Sequence, residues 1–370
     1  MFSSSELRKV HIEISNRCQA SCPMCPRTIH GGLDNPSLEI NEWTLNDFQR
    51  IFTPEILSRL ERISFCGNFG DPVMNNDLID MCSYATTSNP KIRLEVHTNG
   101  SMRTRSWWQA LYQALPEDHI VVFALDGLED TNHIYRVGTN FRKIMESAEA
   151  FISEGGKARW VFIRFGHNIH QEQEAEEMSR EMGFKEFNVK DSKRFGKGYP
   201  VVNKDGETIY HLEQPTKKIN IVDRHDLENH KDWDRATEIE CFAENDREFY
   251  IDAHYRLSPC CMTAAFLYTN YDAELLKKYD LYTDDNVVHI GKEIQQQMYD
   301  IIDSIGGIDS INVRDRGLDT VIDDPRWNSI WRELWNNRGS STCIIMCSPD
   351  SPYIKLEEQV SVRKEVGEDV

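Results

Sequence analysis

The chain has 370 residues, 39% of them hydrophobic and 10% aromatic, which is enough apolar material for one large domain and a second module. Its 42 Lys and Arg against 61 Asp and Glu give a formal net charge of -19, and such a surface repels nucleic-acid phosphates. The sequence shows no apolar signal segment after Met1 and no run long enough to span a membrane, so we expect a cytoplasmic protein. In that compartment its 10 cysteines are expected to be metal ligands, catalytic groups or core thiols rather than disulfides.

The first half of the chain alternates between two kinds of apolar periodicity. Runs of β-branched and aromatic residues predict strands at 10–14, 62–66, 92–97, 120–125, 160–165 and 187–190. Apolar spacings of three and four predict helices at 45–60, 78–86, 107–115, 141–153 and 172–182. Six strands with intervening helices predict an α/β fold with a parallel sheet and right-handed crossovers, which is a partial (β/α)6 TIM-like barrel.

The second half of the chain lacks the regular alternation of strand and helix patterns. Residues 196–240 are polar and charged and are interpreted as a linker or excursion that follows a barrel domain at 1–195. In the remaining module, 241–370, the short apolar runs at 249–251 and 256–257 flank a turn and predict a β-hairpin. A helical stretch at 327–335 then precedes two further cysteines. We therefore expect a small α+β domain after the barrel.

Three cysteines, Cys18, Cys22 and Cys25, follow the first predicted strand, where parallel α/β sheets place their chemistry. Pro23 and Pro26 prevent a regular helix, so a loop presents the thiols and can wrap around a ligand. A structural zinc ion normally takes four protein ligands, whereas an iron–sulfur cube held by three thiolates keeps one iron open to a substrate. A zinc knuckle, or a chance grouping, is the alternative interpretation.

The spacing CxxxCxxC after a first strand resembles the signature of the radical S-adenosylmethionine superfamily. The resemblance implies a [4Fe-4S] cluster on Cys18, Cys22 and Cys25, whose open iron binds the amino and carboxylate groups of S-adenosylmethionine. An electron from that cluster then cleaves the sulfonium to a 5′-deoxyadenosyl radical, which abstracts a hydrogen atom from the substrate.

Motifs after the next strands resemble further parts of the superfamily pattern. Phe69-Gly70-Asp71-Pro72 resembles its GGEP motif, with Phe69 for the first Gly and Asp71 for Glu. Thr98-Asn99-Gly100 resembles its TNG turn, and Leu125-Asp126-Gly127 resembles its SLDG segment. The residues implied to contact the cofactor are Gly70, Asp71, Pro72, Thr98, Asn99, Asp126 and Arg136. Taken singly, each motif is more often an ordinary turn.

A second set of cysteines follows the barrel. The segment ending in Pro259-Cys260-Cys261 resembles the hairpin of SPASM or twitch domains, with Tyr255 where that family usually has Gly. The resemblance implies a second, auxiliary [4Fe-4S] cluster on Cys241, Cys260, Cys343 and Cys347. Three alternatives stay open: Cys261 as the ligand in place of Cys260, a structural zinc site, and unrelated buried thiols.

The resemblance implies a radical enzyme, an oxidoreductase or maturase that oxidises or crosslinks a peptide or protein side chain, with the auxiliary cluster as electron acceptor. A reductase such as flavodoxin or ferredoxin is the implied electron donor. A dehydrogenase of small alcohols or sugars is the alternative substrate class, and a non-catalytic iron–sulfur or zinc protein of electron transfer or assembly is the rival class. Cys66 and Cys82 are expected to be packed thiols, and His97 and His167 to be core or lining residues.

Overall fold

The computed structural model describes residues 1–192, 199–215, 239–268, 285–336, 343, 347 and 362–365. Six strands pair in parallel and in chain order, as predicted. They are β1 (Lys9–Ile12), β2 (Arg62–Phe65), β3 (Arg93–Thr98), β4 (His119–Ala124), β5 (Ala158–Arg164) and β6 (Glu186–Asp191). Sequential parallel pairing with a helical crossover at each step is the arrangement of a partial TIM-like barrel, so the predicted fold class is confirmed.

The helices of the barrel are α1 (Leu45–Ile51), α2 (Pro54–Arg59), α3 (Leu78–Ser88), α4 (Arg105–Ala114), α5 (Phe141–Ile152) and α6 (Glu172–Glu181). The single helix predicted at 45–60 is wrong, because the chain forms two helices there. Pro54 cannot donate a hydrogen bond within a continuous helix, but it suits the first position of a new one. The Thr53 side chain accepts a hydrogen bond from the Ile56 N–H at 3.4 Å and begins α2.

The two faces of the barrel sheet differ in character. Ile12, Phe65 and Val96 lie on the outer face and are fully buried under the helices in the main hydrophobic core. Successive side chains of a strand point to opposite faces, so their neighbours line the inside of the barrel. That inner face is polar and partly accessible, and carries His11, Glu13, Ser64, Cys66, Glu95 and His97.

A hairpin lies within residues 196–240, the segment that we interpreted from the sequence as a linker or excursion. Its strands, β7 (Tyr199–Val202) and β8 (Thr208–Leu212), pair antiparallel. Val201 and Leu212 pack with Ala20, Cys22 and Met24 in a second apolar cluster. This hairpin therefore covers the cysteine loop, while residues 193–198 and 216–238 of the same segment lie outside the described chain.

The hairpin predicted at 249–257 is confirmed; it is the second hairpin of the described chain and extends the barrel sheet. Its strands β9 (Glu248–Ile251) and β10 (Leu257–Ser258) pair antiparallel, and β9 also pairs parallel with β1. At the other edge β11 (Val362–Glu365) pairs antiparallel with β6. One sheet therefore runs in the order β10-β9-β1-β2-β3-β4-β5-β6-β11.

Further elements complete the described chain. They are the two-residue strands Thr28–Ile29 and Leu33–Asp34, the helices Asn132–Tyr135, Phe242–Asn245, Cys261–Ala265, Asp285–Ile305, Val313–Arg316, Leu318–Ile322 and Pro325–Asn336, and the 3-10 turns Ser4–Glu6, Pro72–Met74, Ile169–Gln171, Phe266–Tyr268 and Ile308–Ile311. Trp327 and Trp331 are buried in the same core as the barrel. None of the described helices is long and apolar enough to cross a membrane. The division into domains at 1–195, 196–240 and 241–370 stays a prediction.

Candidate active site

The cysteine loop leaves β1 at the C-terminal edge of the sheet. Backbone hydrogen bonds fix its path: Cys25 N–H donates to the Cys22 carbonyl at 3.0 Å, and Thr28 N–H donates to the Cys25 carbonyl at 3.1 Å. The Ser21 N–H donates to the Val137 carbonyl at 2.8 Å and ties the loop to the segment after β4. The loop therefore presents its thiols from a backbone anchored at both ends.

The three thiols of this loop lie close enough to repel one another as anions. Burial raises the pKa of Cys18, and the charges of Asp71, Cys22 and Cys25 raise it further. Burial likewise raises the pKa of Cys22 to about 11, although the Arg136 guanidinium favours its thiolate. Buried thiolates gathered in this way need a cationic partner, and an iron cluster supplies that charge and displaces the protons. The donor set fits a three-thiolate cluster.

The loop after β2 packs directly against the cysteine loop. The Asn68 carbonyl lies 4.0 Å from the Cys25 sulfur. A Cβ atom added at Gly70 would lie 1.8 Å from the Ser15 carbonyl oxygen, which no side chain can tolerate. Gly70 is therefore required by the close approach of the two loops.

Asp71 holds the turn after β3. One of its oxygens, Oδ2, accepts hydrogen bonds from the Thr98 hydroxyl at 3.0 Å, the Asn99 N–H at 2.8 Å and the Asn99 amide at 2.5 Å. Its other oxygen accepts from the Val73 N–H at 3.1 Å, beside Pro72 in the same loop. Burial raises the pKa of Asp71 to about 6 against these donors. The carboxylate is largely occupied by protein donors, so backbone carbonyls of the loop are the better acceptors for a ligand ammonium.

The same turn reaches the first cysteine. The Asn99 side-chain amide lies 3.6 Å from the Cys18 sulfur, and its carbonyl oxygen accepts from the Gln19 amide at 2.6 Å. The motifs after β2 and β3 and the cysteine loop thus form one hydrogen-bonded unit around Cys18.

Asp126 and Arg136 form a buried ion pair on the far side of the loop. The Arg136 Nε donates to Asp126 Oδ2 at 2.5 Å, and the other oxygen of Asp126 accepts from the Ile163 N–H at 2.6 Å. Burial opposes the Arg136 charge, but Asp126 and Cys22 hold its pKa above the ordinary value. The guanidinium therefore stands as a permanent positive charge beside Cys22.

Glu13 belongs to this site although the sequence motifs did not identify it. Its Oε1 accepts from the Phe69 and Gly70 N–H groups, each at 2.8 Å, and its Oε2 accepts from the Tyr250 hydroxyl at 2.7 Å. Burial raises the pKa of Glu13 to about 7. Alternation along β1 puts Glu13 on the inner face, and a carboxylate at that position was the only available signal.

The four thiols predicted to hold the auxiliary cluster also lie together. Cys241, Cys343 and Cys347 are buried. The Cys347 thiol donates a hydrogen bond that lowers the pKa of Cys241 to about 7. That hydrogen bond and burial raise the pKa of Cys347 itself, with the charges of Cys260 and Cys343 adding to the effect. Cys260 is therefore a member of this group.

Cys261, the residue after Cys260, has a different hydrogen-bond partner. It hydrogen-bonds to His11 on the inner face of the barrel, whereas Cys260 lies with Cys343 and Cys347. The structure therefore separates the two adjacent cysteines between two environments.

The turn of the second hairpin accommodates Tyr255 in a glycine-like conformation. Its φ is 66°, in the left-handed region that favours glycine. The ring stacks on Trp43 at 5.1 Å, the Arg314 guanidinium lies 4.3 Å from its centroid, and its hydroxyl donates to Asp47 at 3.1 Å. These contacts hold the strained residue in place.

The remaining cysteines and histidines divide between core and inner face. Cys82 is fully buried in the main core, as expected of a packed thiol. Cys66 is not packed in that way: it is half-buried on the inner face and hydrogen-bonds to His97. His167 stacks on Phe165 at 5.2 Å, which agrees with a lining role.

Across the described residues, no three His, Cys, Asp or Glu side chains are grouped as they would be around a single metal ion. No protein-family model matches the chain, and no curated protein matches it at a significant level.

Solved structures do resemble the fold. SuiB of Streptococcus suis bound to S-adenosylmethionine matches with 18% identity over 76% of this chain and 66% of its own, with a TM-score of 0.47. BtrN in complex with AdoMet and 2-DOIA matches with 12% identity over 94% of this chain and 95% of its own, at 0.43. A tagged anSMEcpe with bound AdoMet matches with 12% identity over 96% and 92%, at 0.49. The chain spans about two thirds of the length of SuiB, at 66% and 65% in two of its structures.

The six parallel strands follow in the order that the apolar periodicity predicted, and the cysteine loop lies after the first of them. The fold is therefore a partial TIM-like barrel that carries the cysteine loop at the C-terminal end of its first strand.

Proposed function

We propose that the chain is a radical S-adenosylmethionine enzyme that oxidises or crosslinks a peptide or protein side chain. The observation that carries this proposal is the convergence of Cys18, Cys22 and Cys25 with the turns that hold Asp71, Asn99 and Arg136. A simple electron-transfer protein needs the thiols but not these turns. When bound, a cluster on the three thiols would supply the electron that cleaves S-adenosylmethionine to a 5′-deoxyadenosyl radical.

The protein's own groups have separate tasks in this scheme. Asp71 fixes Thr98 and Asn99 by hydrogen bonds, so the turn after β3 keeps its shape when the cofactor binds. Arg136, held by Asp126, offers a positive charge to the cofactor carboxylate and to the Cys22 thiolate. Carbonyl oxygens of the loop at 67–70 would accept from the methionine ammonium.

The second set of thiols supports an oxidative reaction. Four thiolates from Cys241, Cys260, Cys343 and Cys347 would hold a cluster without an open iron, which suits electron transfer rather than cofactor binding. Loss of one electron from a substrate radical to such a centre makes the net reaction an oxidation. A peptide is the favoured substrate class, and a small alcohol or sugar is the alternative.

The test is anaerobic reconstitution with iron and sulfide, followed by S-adenosylmethionine and dithionite, with 5′-deoxyadenosine measured by chromatography. We expect the wild type to form 5′-deoxyadenosine and to bind about eight irons per chain. A variant with Ala at Cys18, Cys22 and Cys25 should bind about four irons and form none of the nucleoside.

The matched control is Cys82→Ala, which removes a buried thiol from α3, away from both sets of cysteines. It should retain both the iron content and the 5′-deoxyadenosine. A wild type that binds iron but never forms 5′-deoxyadenosine would favour the non-catalytic iron–sulfur protein. An unchanged iron content in the triple variant would contradict the ligand assignment. A panel of peptides and of small alcohols and sugars, screened for mass loss of two hydrogens, decides the substrate class.

A further inference from the structure

Cys66 and His97 lie side by side on the inner face of the barrel. The parallel register pairs Phe65 of β2 with Val96 of β3, so the residues that follow them, Cys66 and His97, are also neighbours. Phe65 and Val96 are buried beneath the helices, which turns the two following side chains inward. The His97 side chain is 35% exposed although it sits within the sheet. A small molecule inside the barrel can therefore reach this pair.

Hydrogen bonds join the pair to its surroundings. Cys66 hydrogen-bonds to His97 and to His11, and the His11 Nε2 also lies 2.5 Å from the Cys66 carbonyl. The Glu95 carboxylate lies 3.9 Å from the His97 Nε2. The other titratable groups that face the cluster are Cys261, Tyr250 and Asp71.

The charges of these groups favour an ion pair. Burial alone would raise the pKa of Cys66, but the charge of His97 and the hydrogen bonds from both histidines hold it well below the ordinary value. Burial opposes protonation of His97, yet the Cys66 and Glu95 charges raise its pKa to about 9. Both shifts are in the direction of a thiolate–imidazolium pair.

The pair lies near both sets of cysteines. Cys66 begins the loop whose Asn68 carbonyl touches the Cys25 sulfur. His11, which hydrogen-bonds to Cys66, also hydrogen-bonds to Cys261, the residue next to Cys260. A substrate inside the barrel at Cys66 would therefore lie near both the cysteine loop and the segment that carries Cys260.

We propose that Cys66, paired with His97, takes the proton that a substrate loses when it is oxidised inside the barrel; this inference rests on the proposed function. The 5′-deoxyadenosyl radical takes one hydrogen atom from a substrate C–H bond and becomes 5′-deoxyadenosine. The substrate radical then releases a proton to the Cys66 sulfur and an electron to the auxiliary cluster, which is reduced by one electron. The substrate has lost two electrons and two protons in total, as a new double bond or crosslink requires.

The test uses iodoacetamide as the probe, on the anaerobic, iron-loaded chain, so that thiols bound to iron are protected. The rate of carbamidomethylation at Cys66 is followed by mass spectrometry between pH 6 and 8. An ordinary thiol reacts about 80-fold faster at pH 8 than at pH 6, because its ionised fraction rises over that interval. We expect the Cys66 rate to change less than about twofold in the wild type.

Replacing the partner should restore ordinary behaviour. In His97→Gln the Cys66 rate should rise at least about tenfold from pH 6 to 8, since the positive charge that stabilises the thiolate is gone. The control His211→Gln, an exposed histidine on β8, should keep the flat profile.

A steep profile in the wild type, or no reaction of Cys66 at any pH, would overturn the proposal. So would a flat profile that survives in His97→Gln. Formation of 5′-deoxyadenosine by the same wild-type preparation is measured separately. Its absence removes the proposed function, and with it the proton transfer, even where the alkylation profile is flat.

Discussion

Around the cysteine loop, three buried carboxylates connect neighbouring backbone segments by hydrogen bonds. Glu13, Asp71 and Asp126 are all buried carboxylates. Glu13 accepts backbone N–H groups from the loop after β2, Asp71 accepts one from the turn after β3, and Asp126 accepts one from Ile163 in β5. Burying an ionised group is costly unless its hydrogen-bonding capacity is filled. These three carboxylates therefore help to fix the positions of the loop after β2, the turn after β3 and the end of β5.

Glu13 makes stability depend on pH. Burial raises its pKa from 4.5 to about 7 in the folded chain. The folded state consequently binds a proton more tightly than the unfolded state, so this stabilisation is complete below pH 4.5 and is lost as pH rises through 7. We expect Glu13→Gln to lose stability relative to wild type at pH 5 and to regain about 2.5 kcal/mol of that difference by pH 8.

The measurement is urea unfolding of both chains at several pH values, monitored by tryptophan fluorescence. Glu174→Gln, at an exposed carboxylate of α6, serves as the control and should follow the wild type at every pH. An identical pH slope in Glu13→Gln and wild type would show that Glu13 ionises normally in the fold.

At the level of elements, most of the barrel could be predicted because its signals are local. The six strands are runs of β-branched and aromatic residues, and the structure shifts their ends by only one or two residues. The break between α1 and α2 was missed because apolar spacing continues through Pro54. The β7–β8 hairpin was missed because only Val201, Val202 and Leu212 are buried in it, too few for an alternating pattern.

Part of the candidate site could also be predicted, because its sequence signals are local. The motifs with Cys18, Asp71, Asn99 and Asp126 are short and lie at strand ends, so sequence reading finds them. Contacts such as Cys66 with His97 depend on register between two strands, and a single sequence carries no signal for that.

The loop containing Gly70 should not tolerate a methyl group. In Gly70→Ala the added Cβ would meet the Ser15 carbonyl at 1.8 Å, so the two loops must separate. We expect a loss of several kcal/mol of stability, or a failure to form 5′-deoxyadenosine, because overpacking of this severity displaces the backbone.

A suitable comparison is Gly307→Ala. Gly307 has a φ of +86° and no atom within 4 Å of an added Cβ, so only backbone strain of about 1 kcal/mol is expected there. Thermal unfolding of the two variants separates the effects. Equal shifts in both would mean that the loop at Gly70 adapts.

At the turn between β9 and β10, backbone strain and side-chain packing have opposite effects on stability. Tyr255→Gly relieves a left-handed conformation worth about 1 kcal/mol, but it removes a buried aromatic ring whose loss costs about 3–5 kcal/mol. The loss of packing is larger than the relief of strain, so we expect the variant to be less stable by about 2–4 kcal/mol in urea unfolding. A stabilised variant would show that the ring contacts with Trp43 and Arg314 contribute little.

At the scale of the whole molecule, the hairpin of the second half is part of the first half's sheet. Val10 pairs with Phe249 and Ile12 with Ile251, and Phe249 stacks on Phe2 at 4.5 Å. One hydrophobic core includes the barrel strands and the buried Trp327 and Trp331. The two halves are therefore mutually dependent.

Separating the two halves of the chain at residue 240 tests whether each half needs the other. A fragment of residues 1–240 lacks β9, which leaves the backbone edge of β1 unpaired and its core open. We expect it to aggregate on size-exclusion chromatography, and co-expression with residues 241–370 should recover a soluble complex. A monodisperse 1–240 fragment with β1 amides protected from hydrogen exchange would contradict this expectation.

The pairing of β1 with β9 also has a consequence for synthesis of the protein. The partner of Lys9–Ile12 is Glu248–Ile251, so the ribosome must add about 240 residues before that edge can close. At roughly 5–20 residues per second, the nascent strand waits on the order of 10–50 s with one edge unpaired. Until Glu248–Ile251 has been synthesised, the open edge of β1 is therefore a segment that chaperones shielding nascent chains would cover.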